Sequence, residues 1–137
     1  MQKRLLLTVL AIGVLGGAAG VQGAILGPQY LVNRHNTPEE TLAAEAEGDV
    51  AGSNVFSSAT RETNGLDQWT FEVVEVVDDV ATYKILNVAG GLALTAEADS
   101  NGSNIFVDTY TGAALQHWQV IETDDVPYVE IAIAGSN

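Results

Sequence analysis

The stretch "GSNVF" at residues 52–56 returns as "GSNIF" at residues 102–106, fifty positions later in a chain of 137 residues. At the same offset Leu42 falls on Leu92, Ala43 on Ala93, Ala46 on Ala96, Glu47 on Glu97 and Asp49 on Asp99. With small changes in loop length the flanks match too. "YLVN" from Tyr30 resembles "YKILN" from Tyr83, and "LDQWTFEVV" resembles "LQHWQVIET", which sets Trp69 beside Trp118. A Tyr start, a Gly-Ser-Asn-aliphatic-Phe middle and a Trp end occur twice in the same order, which is the signature of an internal repeat. The units run from Tyr30 to about residue 74 and from Tyr83 to about residue 122. A third opens at about residue 126 in "VPYVEIAIAGSN", where Tyr128 would begin it, and the sequence ends before a third Trp.

Each unit reads as short strands separated by turn residues. "QYLVN" and "TYKILNV" are rich in β-branched and aromatic residues, "EGDVAGSN" and "ADSNGSN" supply turns, "NVF" and "NIFVDTY" follow as strands, and "QWTFEVVEVV" and "HWQVIE" alternate apolar with polar positions. The expected fold class is therefore all-β, a lobe of about forty residues used twice. One stretch obeys helix rules instead: "TPEETLAAEAEG" has Thr37 as an N-cap, Pro38 at the first helical position, Glu40 in capping-box position and Gly48 as a stop. Because Leu42 to Glu47 lie within the repeat, a turn at Pro38 to Glu40 and a strand after it are expected there, tertiary context overriding propensity.

Residues 1–23 have the parts of a secretory signal: Lys3 and Arg4, an apolar run from Leu5, then small residues. A membrane anchor is the competing reading, weakened by Gly13, Gly16, Gly17 and Gly20 and by an apolar core shorter than the ~20 residues a span needs. Removal after Gly23 leaves residues 24–137 as one small, soluble, extracellular domain. The leader holds two of the five basic residues and none of the eighteen acidic ones, so the remainder carries 3 against 18, a net charge of −15. Such a surface repels nucleic acid and anionic membrane. The absence of cysteine removes disulfide support, thiol catalysis and cysteine-based metal sites.

A lobe that opens on Tyr with Val or Ile two residues on and Asn one or two after that, passes through Gly-Ser-x-[VI] and closes on Gln-x-Trp resembles the ricin-B-type β-trefoil lectins over about residues 28–122. Gln116-His117-Trp118 is a full Gln-x-Trp, whereas Asp67-Gln68-Trp69 is a degenerate one. The resemblance implies a β-trefoil, left incomplete by the unfinished third lobe, that binds carbohydrate without transforming it and needs no cofactor. Trp69 and Trp118 are expected in the core as the signature of each lobe. The family's carboxylate after the first strand falls near Ala43 and Ala93, and the residue three before each Trp is Leu66 or Leu115, so those positions carry no sugar ligands here. The second lobe does place Tyr110 eight residues before Trp118, where short-looped members carry a stacking aromatic, with Asp108 two before it. Asp108, Tyr110 and Gln116 are the implied sugar-binding set, with Asp99 or Asn101 at the rim. A sugar offers hydroxyls and a face of C–H groups, and this mixture of ring, carboxylate and amide answers both.

Two roles compete with a lectin. A cysteine-free secreted trefoil can present a loop to a protease, and "SSATRETNG" around Arg61 is the candidate loop; a non-binding wall protein is the other. "DSNGSN" at 99–104 alternates Asp99 and Asn101 before Gly102, but it lacks the distal Glu and helical frame of a calcium loop and reads as a turn with no metal. The same residues make Asn101-Gly102-Ser103 a glycosylation sequon. His35 and His117 lie in different lobes, no hydrolase motif occurs, and Asp78-Asp79 and Asp124-Asp125 sit in connectors, so no enzyme is expected. Two lobes of a three-lobed barrel leave unpaired edges, so either the chain is truncated or a second copy completes the barrel.

Overall fold

The computed structural model describes residues 4–10, 25–33, 40–45, 50–59, 64–124 and 129–135. It is all-β: β1 (Arg4–Leu10), β2 (Ile25–Asn33), β3 (Glu40–Ala44), β4 (Val55–Ser58), β5 (Gln68–Val77), β6 (Val80–Asn87), β7 (Ala93–Ala96), β8 (Ile105–Asp108), β9 (Trp118–Glu122) and β10 (Val129–Ile133), with one 3₁₀ turn at Ala114–Gln116. No helix among the described residues is long and apolar enough to cross a membrane. The capped segment resolves toward strand: Glu40–Ala44 pairs with β2 and β4 and is buried over Thr41 to Ala44, a gain that local helix propensity cannot match. Its Pro38 lies outside the described residues.

The strand pairings close on themselves. β1 pairs with β2, β2 with β5, β5 with β6, β6 with β9, β9 with β10 and β10 with β1, all antiparallel, which makes a six-stranded ring. The hairpins β3–β4 and β7–β8 stand off this ring, one per lobe. Each full lobe thus contributes two ring strands with a hairpin between them: β2, β3, β4, β5, then β6, β7, β8, β9. Leu31, Trp69, Phe71, Ile85, Leu94, Val107, Trp118 and Ile131 fill the interior and have no solvent exposure.

The two copies of the opening motif meet. Gly52 N donates to Val107 O at 2.8 Å, Val107 N donates to Ser53 O at 2.9 Å, and the Asn104 side-chain amide donates to Asn54 Oδ1 at 2.7 Å. Each of these asparagines also ends its own hairpin, because Asn54 O accepts from Glu45 N and Asn104 O from Glu97 N. The repeated motif is a second seam between the two lobes, beside the β5–β6 pairing.

Register corrects two details of the repeat. Trp69 Nε1 donates to Leu42 O and Trp118 Nε1 to Leu94 O, so Leu42 corresponds to Leu94 and not to Leu92. The turn from Glu45 to Asn54 is two residues longer than that from Glu97 to Asn104, and ungapped sliding absorbed the difference. In the first ring strands, Gln29 lies opposite Trp69 as Tyr83 lies opposite Trp118. Tyr83 therefore corresponds to Gln29, and the buried Ile85 to the buried Leu31; Tyr30 points to the other face and accepts from the Gln68 side-chain amide at 2.5 Å. In the third lobe Ile133 lies opposite Trp118 as Asn87 lies opposite Trp69, so Val129 stands where Tyr83 does and the buried Ile131 stands where Ile85 does. With a side-chain period of two, a slip of one residue exchanges core and solvent. Tyr128, expected to open this lobe, lies outside the described residues.

The connector Asp78-Asp79 is a two-residue hairpin turn between Val77 and Val80, with φ of 50° and 64°. Both residues are left-handed, a state that costs an L-residue about 1–2 kcal/mol and that Asn-Gly adopts readily. Asp79→Gly is expected to raise stability by about 1 kcal/mol in chemical denaturation. A loss of stability would show that the aspartate carries a compensating contact.

Candidate functional site

After Asp108 the chain leaves β8 and runs without regular structure to the 3₁₀ turn, and Tyr110 stands on this run. Gln116 holds the run in place. Its Oε1 accepts from Thr111 N at 2.8 Å and from Thr111 Oγ1 at 3.2 Å, while its Nε2 donates to Thr109 O at 2.9 Å and to Thr95 Oγ1 at 3.2 Å. At 2 % exposure Gln116 does not face a ligand. Its role is to position the segment that carries Tyr110, and this corrects its expected place among the ligand contacts. In the first lobe the matching Asp67 is fully buried and accepts from Thr41 Oγ1 at 3.3 Å.

Two groups set the Tyr110 ring. Its hydroxyl shares a 2.9 Å hydrogen bond with His117 Nε2, and the two rings lie 6.0 Å apart at 42°. The Lys84 ammonium lies 4.8 Å from the Tyr110 ring centroid, within cation–π range, and is itself fixed by Glu72 Oε2 at 3.0 Å. Lys84 and Glu72 are directly opposite on β6 and β5. The result is a half-buried phenol with one polar edge, one cationic neighbour and a fixed orientation. Close by in the fold, Tyr83 lies opposite Trp118, and burial pushes its hydroxyl above the ordinary tyrosine range.

Lys84, His117 and Glu72 did not stand out in the sequence, although alternation carried a signal for two of them. His117 precedes the core Trp118 and Lys84 follows the core Tyr83, so strand geometry turns both outward. Asp108 is half-buried, two residues from Tyr110 as expected, and its Oδ1 accepts from Thr109 N at 2.8 Å. Asp99 and Asn101 are elsewhere. Asp108 lies opposite Ala93 at the base of the β7–β8 hairpin, whereas Asp99 and Asn101 occupy its tip, beyond the Ala96–Ile105 pair. Three strand residues alone separate base from tip by about 10 Å, so these two residues do not rim a site at Tyr110. The tip is a compact turn, with Ser100 Oγ and Ser103 Oγ 2.6 Å apart and Gly102 at φ 84°. Asn101 is exposed on it. Arg61, the centre of the candidate inhibitor loop, lies outside the described residues, as does His35.

A family profile described as ricin-type β-trefoil lectin domain-like matches residues 66–137. The chain belongs to that family. The matched segment contains every residue described at the Tyr110 site, from Glu72 to His117, and it begins at the Leu66-Asp67-Gln68-Trp69 end of the first lobe. Among solved structures, the crystal structure of ThreeFoil, a designed threefold-symmetric protein, aligns with a TM-score of 0.59 at 26% identity, covering 80% of this chain and 77% of that one. No curated protein matches. The lectin-like domain thus has the β-trefoil fold, here with two cap hairpins among the described residues.

Proposed function

We propose that the domain is exported and binds carbohydrate at Tyr110 without transforming it. The observation that carries this reading is the fixed phenol: Gln116 pins the backbone on either side, and His117 and Lys84 set the ring. A ring held in one orientation stacks on the C–H face of a pyranose at little entropic cost. Asp108, two residues before it along the chain, offers a carboxylate for sugar hydroxyls, and membership of a lectin-like family supports a glycan as the partner. A single shallow site of this kind binds weakly, so useful avidity rests on several copies acting together. Export would remove β1, and association of processed chains is the route to such multivalency.

The test is a glycan array probed with the wild-type domain and Tyr110→Ala, with circular dichroism as the check on folding. Binding to defined glycans that falls at least tenfold in Tyr110→Ala, about 1.4 kcal/mol, is the expected result. A folded wild-type sample that binds no glycan would overturn the reading.

A further inference from the structure

The strand β1 lies in the stretch with the features of an export leader, and it is also a member of the barrel. Its first half pairs with β10 through Arg4–Ala132, Leu5–Ile131, Leu6–Glu130 and Leu7–Val129. Its second half pairs with β2 through Leu7–Asn33, Thr8–Val32, Val9–Leu31 and Leu10–Tyr30. By order around the ring, β10 is the first strand of the third lobe and β1 occupies the place of its last, so the third lobe is assembled from the two ends of the chain.

Without β1 the ring cannot simply shrink. β2 and β10 are both antiparallel to β1, so they run parallel to each other, two strand spacings or about 9.6 Å apart. That gap admits one extended chain. Its walls would present unpaired backbone N–H and C=O groups beside the fully buried Leu31 and Ile131, an arrangement that favours capture of another strand.

We propose that Arg4–Leu10 is a removable closing strand: it seals the barrel of the unprocessed chain, and once it is gone the β2–β10 seam is an acceptor for an apolar β-strand of that length, antiparallel to both walls. The removal step rests on the export reading; the closing role does not.

The test begins with the full chain, folded and then cut at a protease site inserted between residues 11 and 23. The expected result is that the N-terminal peptide co-elutes with the barrel. Its removal lowers the thermal midpoint by about 10 °C or more, and a synthetic peptide of residues 4–10 restores it. The same peptide with Thr8→Pro, which lacks one backbone donor, does not. Release of the peptide at once, with the midpoint unchanged, would overturn the proposal. An independent readout uses the absence of native cysteine: Leu6→Cys with Glu130→Cys, opposite in the register, is expected to oxidise to a disulfide at least tenfold faster than the mismatched pair Leu10→Cys with Glu130→Cys. Equal rates would also overturn it. None of these readouts depends on glycan binding, and a leader left uncleaved in cells would defeat the export reading while the cross-link still tests the strand.

Discussion

Trp118→Ala is expected to cost about 3–5 kcal/mol, a large share of the roughly 5–15 kcal/mol that holds an ordinary domain folded. Trp118 has no solvent exposure, and it is paired with Tyr83 on one side and Ile133 on the other, so its indole sits where the second and third lobes join. Truncation leaves a cavity bounded by both lobes. It also deprives Leu94 O of the indole N–H that donates to it at 2.8 Å. Trp118→Phe separates the two effects: it keeps most of the ring volume and loses the hydrogen bond, so a smaller loss of about 1–3 kcal/mol is expected. Urea unfolding of both variants, followed by the remaining Trp69 fluorescence, measures them. An alanine variant within 1 kcal/mol of wild type would show that the second-lobe indole is not a keystone of the core.

Gln116→Ala is expected to cost roughly 1–3 kcal/mol, because it removes the side-chain partner of Thr111 N and Thr109 O and of the buried Thr95 hydroxyl. The same variant is expected to weaken glycan binding at Tyr110 although Gln116 is itself shielded from ligand. Gln116→Glu keeps the acceptor for Thr111 N and loses the donor to Thr109 O, so it should fall between wild type and alanine. Hydrogen exchange at Thr111 provides the local readout: faster exchange in Gln116→Ala is expected, and an unchanged rate together with unchanged binding would refute the positioning role.

Much of the lobe was legible because its signals are local and doubled. The Asn54 and Asn104 motifs, the Trp69 and Trp118 ends and the alternation of "QWTFEVVEVV" all mark strands and turns without knowledge of what they pack against. Register was less legible. Glu45 to Asn54 hides a two-residue insertion, and the salient Tyr30 drew the first strand out of step by one, since identical letters attract an alignment more strongly than matching faces do. The site was half legible: Tyr110 followed from its spacing to Trp118, but the groups that orient it come from β5, β6 and the residue before β9.

The sequence by itself determined that this is an acidic, cysteine-free, all-β protein built on a repeated lobe with a tryptophan at each end, because composition and period-two patterning are properties of neighbours along the chain. Only the tertiary structure decided that Gln116 is a buried strut, that Lys84 lies against the Tyr110 ring, and that Arg4–Leu10 and Val129–Ile133 from opposite ends of the chain share one lobe. Those relations join residues far apart in sequence, and long-range pairing is set by closure of the whole barrel, which no local pattern encodes.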